Sequence, residues 1–488
     1  MASILRRPIL VGGVALSLLL WLWQSLDELA GQVDDVAILS AIALGGLLLL
    51  NKKTVKNTPI QLDVSLIERA TVEKAIATSE NSIAILDTEA PNHDVTAKLR
   101  DKLAEITAEL DRRNLNLTIT GGKGVGKTSL LQILQSNWKS PVNRAITTEE
   151  TPALFSTSEN GLAAEKDALA AAVDSDLVIF ITNADLTETE FQTLKQLKEA
   201  NQKSILVFNK EDRYLPEERE LVLQRIQERV EGILEKEDAI AIATSPKAIV
   251  VRQHQTDGSV QEWLEESVPE ISALTDRLGQ ILTQQSQQLV WANCWRSAIN
   301  LQAETKSVLN QIRRDKALPQ IEQYQWIAAA TAFANPLPAL DLVATGAINA
   351  QLVLDLSGIY RQKFSIEQAQ TVAATMGSLI LKLGLVELST QTITTILKSN
   401  TITFVAGGLA QGISAAYFTR IAGLSLIEYF QAQEESSAEA RPLNLEKLRQ
   451  SITKVFQENQ RTAFWQSFVQ QTAGRLLPAS QEGLGARV

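Results

Sequence analysis

Cysteine, histidine and methionine are nearly missing from this chain: one cysteine (Cys294), two histidines (His93 and His254) and two methionines occur in 488 residues. A single cysteine excludes an intrachain disulfide framework, and three Cys/His side chains are too few for a four-ligand Cys/His zinc site. A Cys–His nucleophilic pair survives the count, but no motif brings those residues together. Cys294 lies in the helical stretch Trp291-Ala292-Asn293-Cys294-Trp295, where a small buried thiol is expected. His93, in the breaker Ala90-Pro91-Asn92-His93-Asp94, reads as a solvated loop residue. Basic excess is also lacking, since 46 Lys and Arg face 56 Asp and Glu for a net charge of −10. With no basic stripe interleaved with aromatics, nucleic acid is not an expected partner. The 45% apolar and 21% charged content is that of a globular chain. So long a chain exceeds one hydrophobic core, and several domains are expected.

Long uncharged runs open the chain. Residues 8–26 carry no charge, and neither do residues 36–50, which end in Leu47-Leu48-Leu49-Leu50. The first is about the twenty residues a bilayer crossing needs. The second is shorter and relies on Asn51 and the following lysine stems to reach the interface. Asp27, Glu28, Asp34 and Asp35 lie between the runs, whereas Arg6 and Arg7 precede them and Lys52, Lys53 and Lys56 follow. The positive-inside rule then puts both ends on the cytoplasmic or stromal side. No small-residue cleavage site closes the first run, as a signal peptide requires, and no polar face suits it to a soluble hairpin. Residues 1–53 are therefore expected to form a transmembrane hairpin, making the chain a multi-pass membrane protein with lipid as a partner. Residues 54–113 read as a helical connector, with apolar residues at helical spacing over 64–76 and 95–106.

The strongest motif follows. Gly121, Gly122, Lys123, Gly124, Val125, Gly126, Lys127 and Thr128 spell G-x-x-x-x-G-K-[ST]. A strand-like run, Leu115-Asn116-Leu117-Thr118-Ile119-Thr120, precedes it, and a helix-like run from Ser129 follows. That context is the one a phosphate-binding loop requires. Its glycines let backbone N–H groups close on phosphates, and the helix N-terminus adds its positive dipole end. Lys127 is expected on the β- and γ-phosphates, with the Thr128 hydroxyl on Mg²⁺. By chance the four fixed positions recur in roughly one chain in fifty of this length, so context decides.

The base is chosen further on. Ser204-Ile205-Leu206-Val207-Phe208 is a buried strand running into Asn209-Lys210-Glu211-Asp212. This N-K-x-D resembles the guanine-recognition motif of translation-factor-type GTPases. The resemblance implies a carboxylate, Asp212, accepting from the N1–H and N2–H₂ edge of guanine, with Asn209 on the other edge and Lys210 over the ring. Ile240-Ala241-Ile242-Ala243-Thr244-Ser245-Pro246-Lys247 is a further strand, and its end resembles the S-A-K loop that contacts the guanine oxygen. Pro246 lacks the N–H that alanine supplies there. The D-x-x-G magnesium and γ-phosphate motif is eroded to Glu150-Thr151-Pro152-Ala153-Leu154. Glu150 can still reach a magnesium shell through water, but Ala153 resists the backbone flip that glycine permits, and Leu154 is no water-orienting glutamine. About two dozen residues separate Lys127 from Glu150, which leaves little room for a long first switch. GTP or GDP with Mg²⁺ is thus expected, with slow intrinsic hydrolysis. Alternating strands and helices predict a GTPase domain over 114–255 with the site at the sheet's C-terminal edge.

From Val260 to about Pro319 apolar residues such as Leu274, Leu278, Ile281 and Leu282 recur at helical spacing, so a helical stalk is expected over 256–320. Residues 321–432 are richer in Ala, Gly and Leu. There Asn335-Pro336-Leu337-Pro338-Ala339-Leu340-Asp341 and the helix after it resemble YcjF-type bacterial membrane proteins of uncharacterised role. Joined to the GTPase motifs, this layout resembles GTPase-fused members of cyanobacteria and chloroplasts, implying a bacterial inner, thylakoid or plastid membrane. Charges at Asp341, Asp355, Lys382 and Glu387 favour a compact helical bundle resting on the membrane over further crossings. Asp341 and Asp355 read as caps or solvated positions. Residues 433–488 read as a linker and amphipathic helices, with Phe464, Trp465 and Phe468 in a core.

The expected fold class is an α/β P-loop GTPase domain, its sheet mostly parallel, with an N-terminal transmembrane helical hairpin and an all-α C-terminal domain. The expected function is a membrane-anchored GTP-binding switch or assembly factor with weak GTPase activity, working with a homo-oligomer or membrane-protein partner. A structural scaffold with a degenerate nucleotide domain and a dynamin-like remodelling GTPase are the alternatives.

Overall fold

The computed structural model describes residues 67–155, 159–254, 260–265, 267–334, 338–399, 406–432, 444–459 and 462–476. The hairpin expected at 1–53 lies outside the described residues. The chain divides into a unit of residues 57–308 and a second unit whose described residues run from 309 onward.

In the first unit, helices α1 (Arg69–Glu89) and α2 (Asp94–Glu109) precede strand β1 (Leu115–Gly121). Then α3 (Lys127–Asn137), β2 (Ile146–Glu150), α4 (Glu159–Asp174), β3 (Leu177–Thr182), α5 (Glu188–Glu199), β4 (Ser204–Asn209), α6 (Pro216–Arg229) and β5 (Ala239–Ile242) alternate. The strands form one sheet in the order β2-β1-β3-β4-β5, every pair parallel. All six residues of β3 and of β4 are buried, as strands covered on both faces must be. Successive side chains point to opposite faces. Ile179, Ile181 and Val207 pack with Leu130 and Leu134 of α3, while Val178, Phe180 and Phe208 pack with Ala172, Leu194 and Ile226 on the other side. Each such side chain, fully buried, contributes about 1.5–3 kcal/mol. Local signals agree with the helix starts: Thr187 and Glu190 complete a capping box for α5, and Pro216 opens α6. His93, expected to be solvated, instead caps α2, its Nδ1 accepting from the Val95 N–H at 3.4 Å.

The expectation of helix from Val260 is corrected. Residues 260–265 form β7 (Val260–Glu265), paired antiparallel with β6 (Ile249–His254), and the helix begins only at α7 (Ser272–Ala334). The cross-strand Arg252–Glu262 ion pair at 2.6 Å and the Ala243–Glu270 bridge are long-range contacts that helical periodicity cannot register. The first half of α7 covers one sheet face with Leu274, Leu278, Ile281 and Leu282. Its Arg296, 4% exposed, donates to the carbonyls of Ser175 (2.7 Å), Asn201 (3.2 Å) and Val173 (3.3 Å). Those carbonyls lie at the C-terminal ends of α4 and α5, where backbone acceptors are left over and a cation suits the dipole. Desolvation pushes the guanidinium pKa down to about 10, so it stays charged at neutral pH. Cys294 is buried, as the sequence implies.

The second unit contains α8 (Pro338–Ile359), α9 (Ile366–Lys382), α10 (Leu385–Ser399), α11 (Ala406–Gln431), α12 (Leu445–Glu458), α13 (Thr462–Leu476) and the last part of α7. The helix α7 runs through Pro319, near which the stalk was expected to end. A proline costs a helix interior one hydrogen bond, and the neighbours Ala317, Ile321 and Tyr324, all fully buried, offset it. A Cβ on Gly408 would lie 2.7 Å from the Phe333 carbonyl oxygen, and one on Gly412 2.9 Å from that of Ala329, so glycine is what lets α11 approach α7 this closely. Tyr417 packs among Phe456, Trp465 and Phe468, which places the C-terminal aromatics in the core. Asp355 is neither a cap nor a solvated carboxylate: it accepts from Tyr324 Oη at 2.6 Å and from Gln351 Nε2 at 3.1 Å. The side chain of Asp341 lies outside the described residues. No single described helix is long and apolar enough to cross a membrane; Ile366–Lys382 and Leu385–Leu397 qualify only together, bent by 70°.

Gly408→Ala should therefore lower the melting temperature, at a cost of about 1–3 kcal/mol for overpacking. Gly346→Ala, with nothing within 4 Å of its Cβ, should hold or raise it. Differential scanning calorimetry of the two variants checks the contrast.

Candidate nucleotide-binding site

At the C-terminal edge of the sheet, β1 ends in Gly121 and α3 begins at Lys127, so residues 121–127 form the connecting loop. Two glycines fix its path. Gly121, at φ +147°, passes so close to β3 that a Cβ would sit 2.3 Å from the Ile181 oxygen, and at Gly126, φ +108°, it would sit 2.2 Å from Asn209 Nδ2.

Asn209, at the end of β4, is completely buried. Its Nδ2 donates to Val125 O (2.8 Å) and Thr244 Oγ1 (3.0 Å), and its Oδ1 accepts from the backbone N–H of Lys210 (2.8 Å) and Thr244 (3.0 Å). All four hydrogen-bonding positions of the amide are filled by protein. The residue expected on a base edge thus ties the loop to the ends of β4 and β5. Lys210, left-handed at φ +65°, reaches over the loop and donates from Nζ to Gly124 O at 2.5 Å. Burial pushes its pKa down, nearby Arg213 adds to this, and Asp212 opposes it.

Asp212 sits on the short 3-10 turn Glu211–Arg213. Its Oδ2 accepts from the Lys247 N–H at 3.3 Å, while Oδ1 is buried with no hydrogen-bond partner among the described residues. A buried acceptor without a donor is costly, and such atoms call for an explanation. Thr244 is buried; Ser245 and Lys247 are exposed, with Pro246 between them. The Lys247 carbonyl accepts from Ser267 Oγ at 3.1 Å.

Lys127 is 9% exposed and its Nζ donates to the carbonyls of Gly121 (3.1 Å) and Gly122 (3.0 Å). Desolvation pushes its pKa down, partly opposed by the Glu150 carboxylate. Two neutral carbonyls do not balance a buried charge, so the loop is electrostatically suited to an anion. Ser129 follows in the first turn of α3, half-buried. Lys123, at the loop crest, is exposed. Strand β2 ends at Glu150, opposite Ile119 of β1, and there Glu150 Oε1 accepts from Thr128 Oγ1 at 3.1 Å.

Beyond β2 the chain stays docked on β1: the Thr151 N–H donates to Ile119 O (2.9 Å) and the Leu154 N–H to Gly121 O (3.1 Å). Leu154 is 2% exposed, its side chain part of the core below α4 and α5 rather than of the site. Phe155 has φ +64°, unusual for an aromatic residue, and its ring edge lies 3.9 Å from where a Cβ on Gly122 would be. Neither the docking of 151–154 nor the placement of Phe155 carried a signal in the sequence, because both depend on register with β1.

Over residues 94–312 the chain matches the KAP family P-loop domain. Residues 296–461 match a domain of unknown function, DUF697. A P-loop NTPase-type domain is thus fused to a DUF697-type domain, and the YcjF likeness has no separate support in these matches. No curated protein matches the chain. Three solved structures illustrate its distant likenesses. A LAO/AO transport system kinase is 14% identical, over 57% of this chain and 97% of that one, at a TM-score of 0.26. One member of an oligomerised bacterial dynamin pair, described as sensing and tethering membranes, is 12% identical over 89% and 84%, at 0.25. The bacterial dynamin GTPase LeoA from ETEC is 10% identical over 86% and 96%, also at 0.25. At such scores none of them bears on the function of this chain.

Asn209→Ala would strand the Val125 carbonyl and the Thr244 N–H. It should destabilise the first unit by about 2–4 kcal/mol and expose the 121–127 loop to exchange. Hydrogen–deuterium exchange of that segment measures the effect.

Proposed function

We propose that this chain is a membrane-anchored GTP-binding protein that hydrolyses GTP slowly. The carrying observation is Asp212 Oδ1, a buried carboxylate oxygen without a donor among the described residues, at the edge where Lys210 bridges back to the phosphate loop. Guanine presents N1–H and N2–H₂, two adjacent donors that a carboxylate accepts together. Adenine has an acceptor at its ring N1 and would leave the oxygen unsatisfied, a penalty that discriminates strongly. The Lys210 stem would then lie along the base, and the loop between Thr244 and Lys247 would meet its oxygen. Lys127 and the N–H groups of residues 122–129 would hold the phosphates.

Thr128 and Glu150 fit Mg²⁺, which takes one or two protein oxygens alongside phosphates and water. Bound there, it would neutralise phosphate charge. The protein's own share is position: Thr128 and Glu150 set that corner, and Lys127 draws charge from the terminal phosphate. Leu154 is turned into the core and Ala153 stands where a flexible glycine is expected, so neither residue would orient water and turnover would be slow. GTP would alter the 121–128 and 150–161 regions, of which 156–158 lie outside the described residues. Residues 1–53 would anchor the chain in lipid with its bulk on the cytoplasmic or stromal face, where a homo-oligomer or membrane-protein partner would read the state.

The buried Leu154 also favours a second reading, a scaffold in which nucleotide is held and never turned over. Single-turnover hydrolysis with and without vesicles separates the two, since sustained phosphate release excludes the scaffold.

Labelled GTP and GDP should bind the full chain saturably, and Lys127→Ala should weaken binding at least tenfold, the value of a charge-assisted hydrogen bond. Asp212→Asn should move preference from guanine to xanthine nucleotides. Unchanged preference in equilibrium binding contradicts the assignment of the base.

A further inference from the structure

The outer face of the elbow between α9 and α10 is not explained by the bundle it belongs to. Inward, Ala369, Val372, Met376 and Ile380 of α9 and Leu385 and Ile393 of α10 join the core. The pair carries few charges: its seventeen and fifteen residues include Glu367, Lys382, Glu387 and Lys398 as their ionisable groups. Helix α2, by contrast, has seven charged residues in sixteen, and α12 five in fourteen, which is how solvated faces are built in this chain. Leu381 and Leu388 are 62% and 53% exposed, on either side of Gly384, whose φ of +69° turns the chain. Thr390, Thr392, Thr394 and Thr395 return their hydroxyls to the carbonyls four residues earlier, at 2.8–2.9 Å, which lets the face enter an apolar medium.

Geometry selects the mode of contact. Seventeen and fifteen helical residues are roughly 26 and 22 Å long, against a hydrocarbon layer of about 30 Å. Neither arm alone is long and apolar enough to cross a bilayer, and the 70° bend keeps the two from forming one straight span. A helix pair with one buried face and an outer face poor in charge can lie along the interface, its exposed Lys382 and Glu387 at headgroup level. Exposed Lys363, just before α9, suits anionic headgroups. A bilayer is the occupant argued for because the chain carries the uncharged run at 8–26, which under the proposed function would tether it to a membrane. We infer that the α9–α10 elbow is a second, non-spanning membrane contact, with Leu381 and Leu388 entering the acyl boundary. This rests on the membrane-anchor reading.

The test uses the full chain in phosphatidylcholine–phosphatidylglycerol vesicles, with an environment-sensitive fluorophore on a cysteine introduced as Leu381→Cys, Leu388→Cys or, as a control on α12, Lys447→Cys. Native Cys294, 2% exposed, does not compete for label. Labels at 381 and 388 should shift to the blue and be quenched by brominated acyl chains at least twofold more than the label at 447. Equal quenching at all three sites on vesicle-bound protein overturns the elbow contact while leaving the anchor standing. Shielding at 381 and 388 that rises with protein concentration and ignores brominated lipid overturns it in favour of a second copy. A chain that does not float with vesicles at all overturns the anchor, and the elbow contact with it.

Discussion

Asn209 is the residue on which the site depends. Its amide meets the Val125 carbonyl, the Thr244 hydroxyl and two backbone N–H groups, and so joins the phosphate loop, the end of β4 and the end of β5. Being completely buried, it cannot trade any of those bonds for water. Gly126 is glycine for the same reason, since a Cβ there would collide with the amide. The loop is therefore held open by a polar clamp beneath it, and the ammonium of Lys127 and the carboxylate of Asp212 are positioned by what that clamp fixes. Such preorganisation places the ordering cost in folding and not in binding.

On the proposed function, the same rigidity would limit catalysis. Residues 151–154 continue alongside β1 with hydrogen bonds to Ile119 and Gly121, and Leu154 is drawn into the core under α4 and α5. In a nucleotide switch this is the segment that has to move. Here it is held by backbone bonds and buried apolar area, with alanine where a flexible glycine would ease a flip. On the proposed function, retention of nucleotide and slow turnover would be two results of one packing arrangement.

The two units solve different packing problems. In the first, a parallel sheet covered on both faces is closed by α7, with Arg296 satisfying carbonyls at the ends of α4 and α5. In the second, helices approach at glycines, and the remaining large side chains, Tyr417 and Trp465 among them, fill the space between. The outward face of α9 and α10 is the exception, with fewer charges than α2 or α12 and Leu381 and Leu388 exposed beside the turn at Gly384.

Much of this was legible in the residues themselves. The phosphate loop, the alternation of buried strands and helices, and the burial of Cys294 and of the C-terminal aromatics all follow from local patterns: glycine spacing, periodicity and apolar runs. The pairing of β6 with β7 did not, because Val260 to Glu265 gains its conformation from a partner strand. His93 as a cap, Asp355 under Tyr324 and Arg296 across two helix ends were likewise hidden, since each depends on which backbone groups happen to lie nearby. The sequence by itself determined the chemistry on offer at the nucleotide site: a lysine, a threonine, an asparagine, two carboxylates and the glycines between them. Only the tertiary structure decided how each is spent, because hydrogen-bond partners are chosen by distance in space. It closed the amide of Asn209 on the protein and left one oxygen of Asp212 without a donor among the described residues.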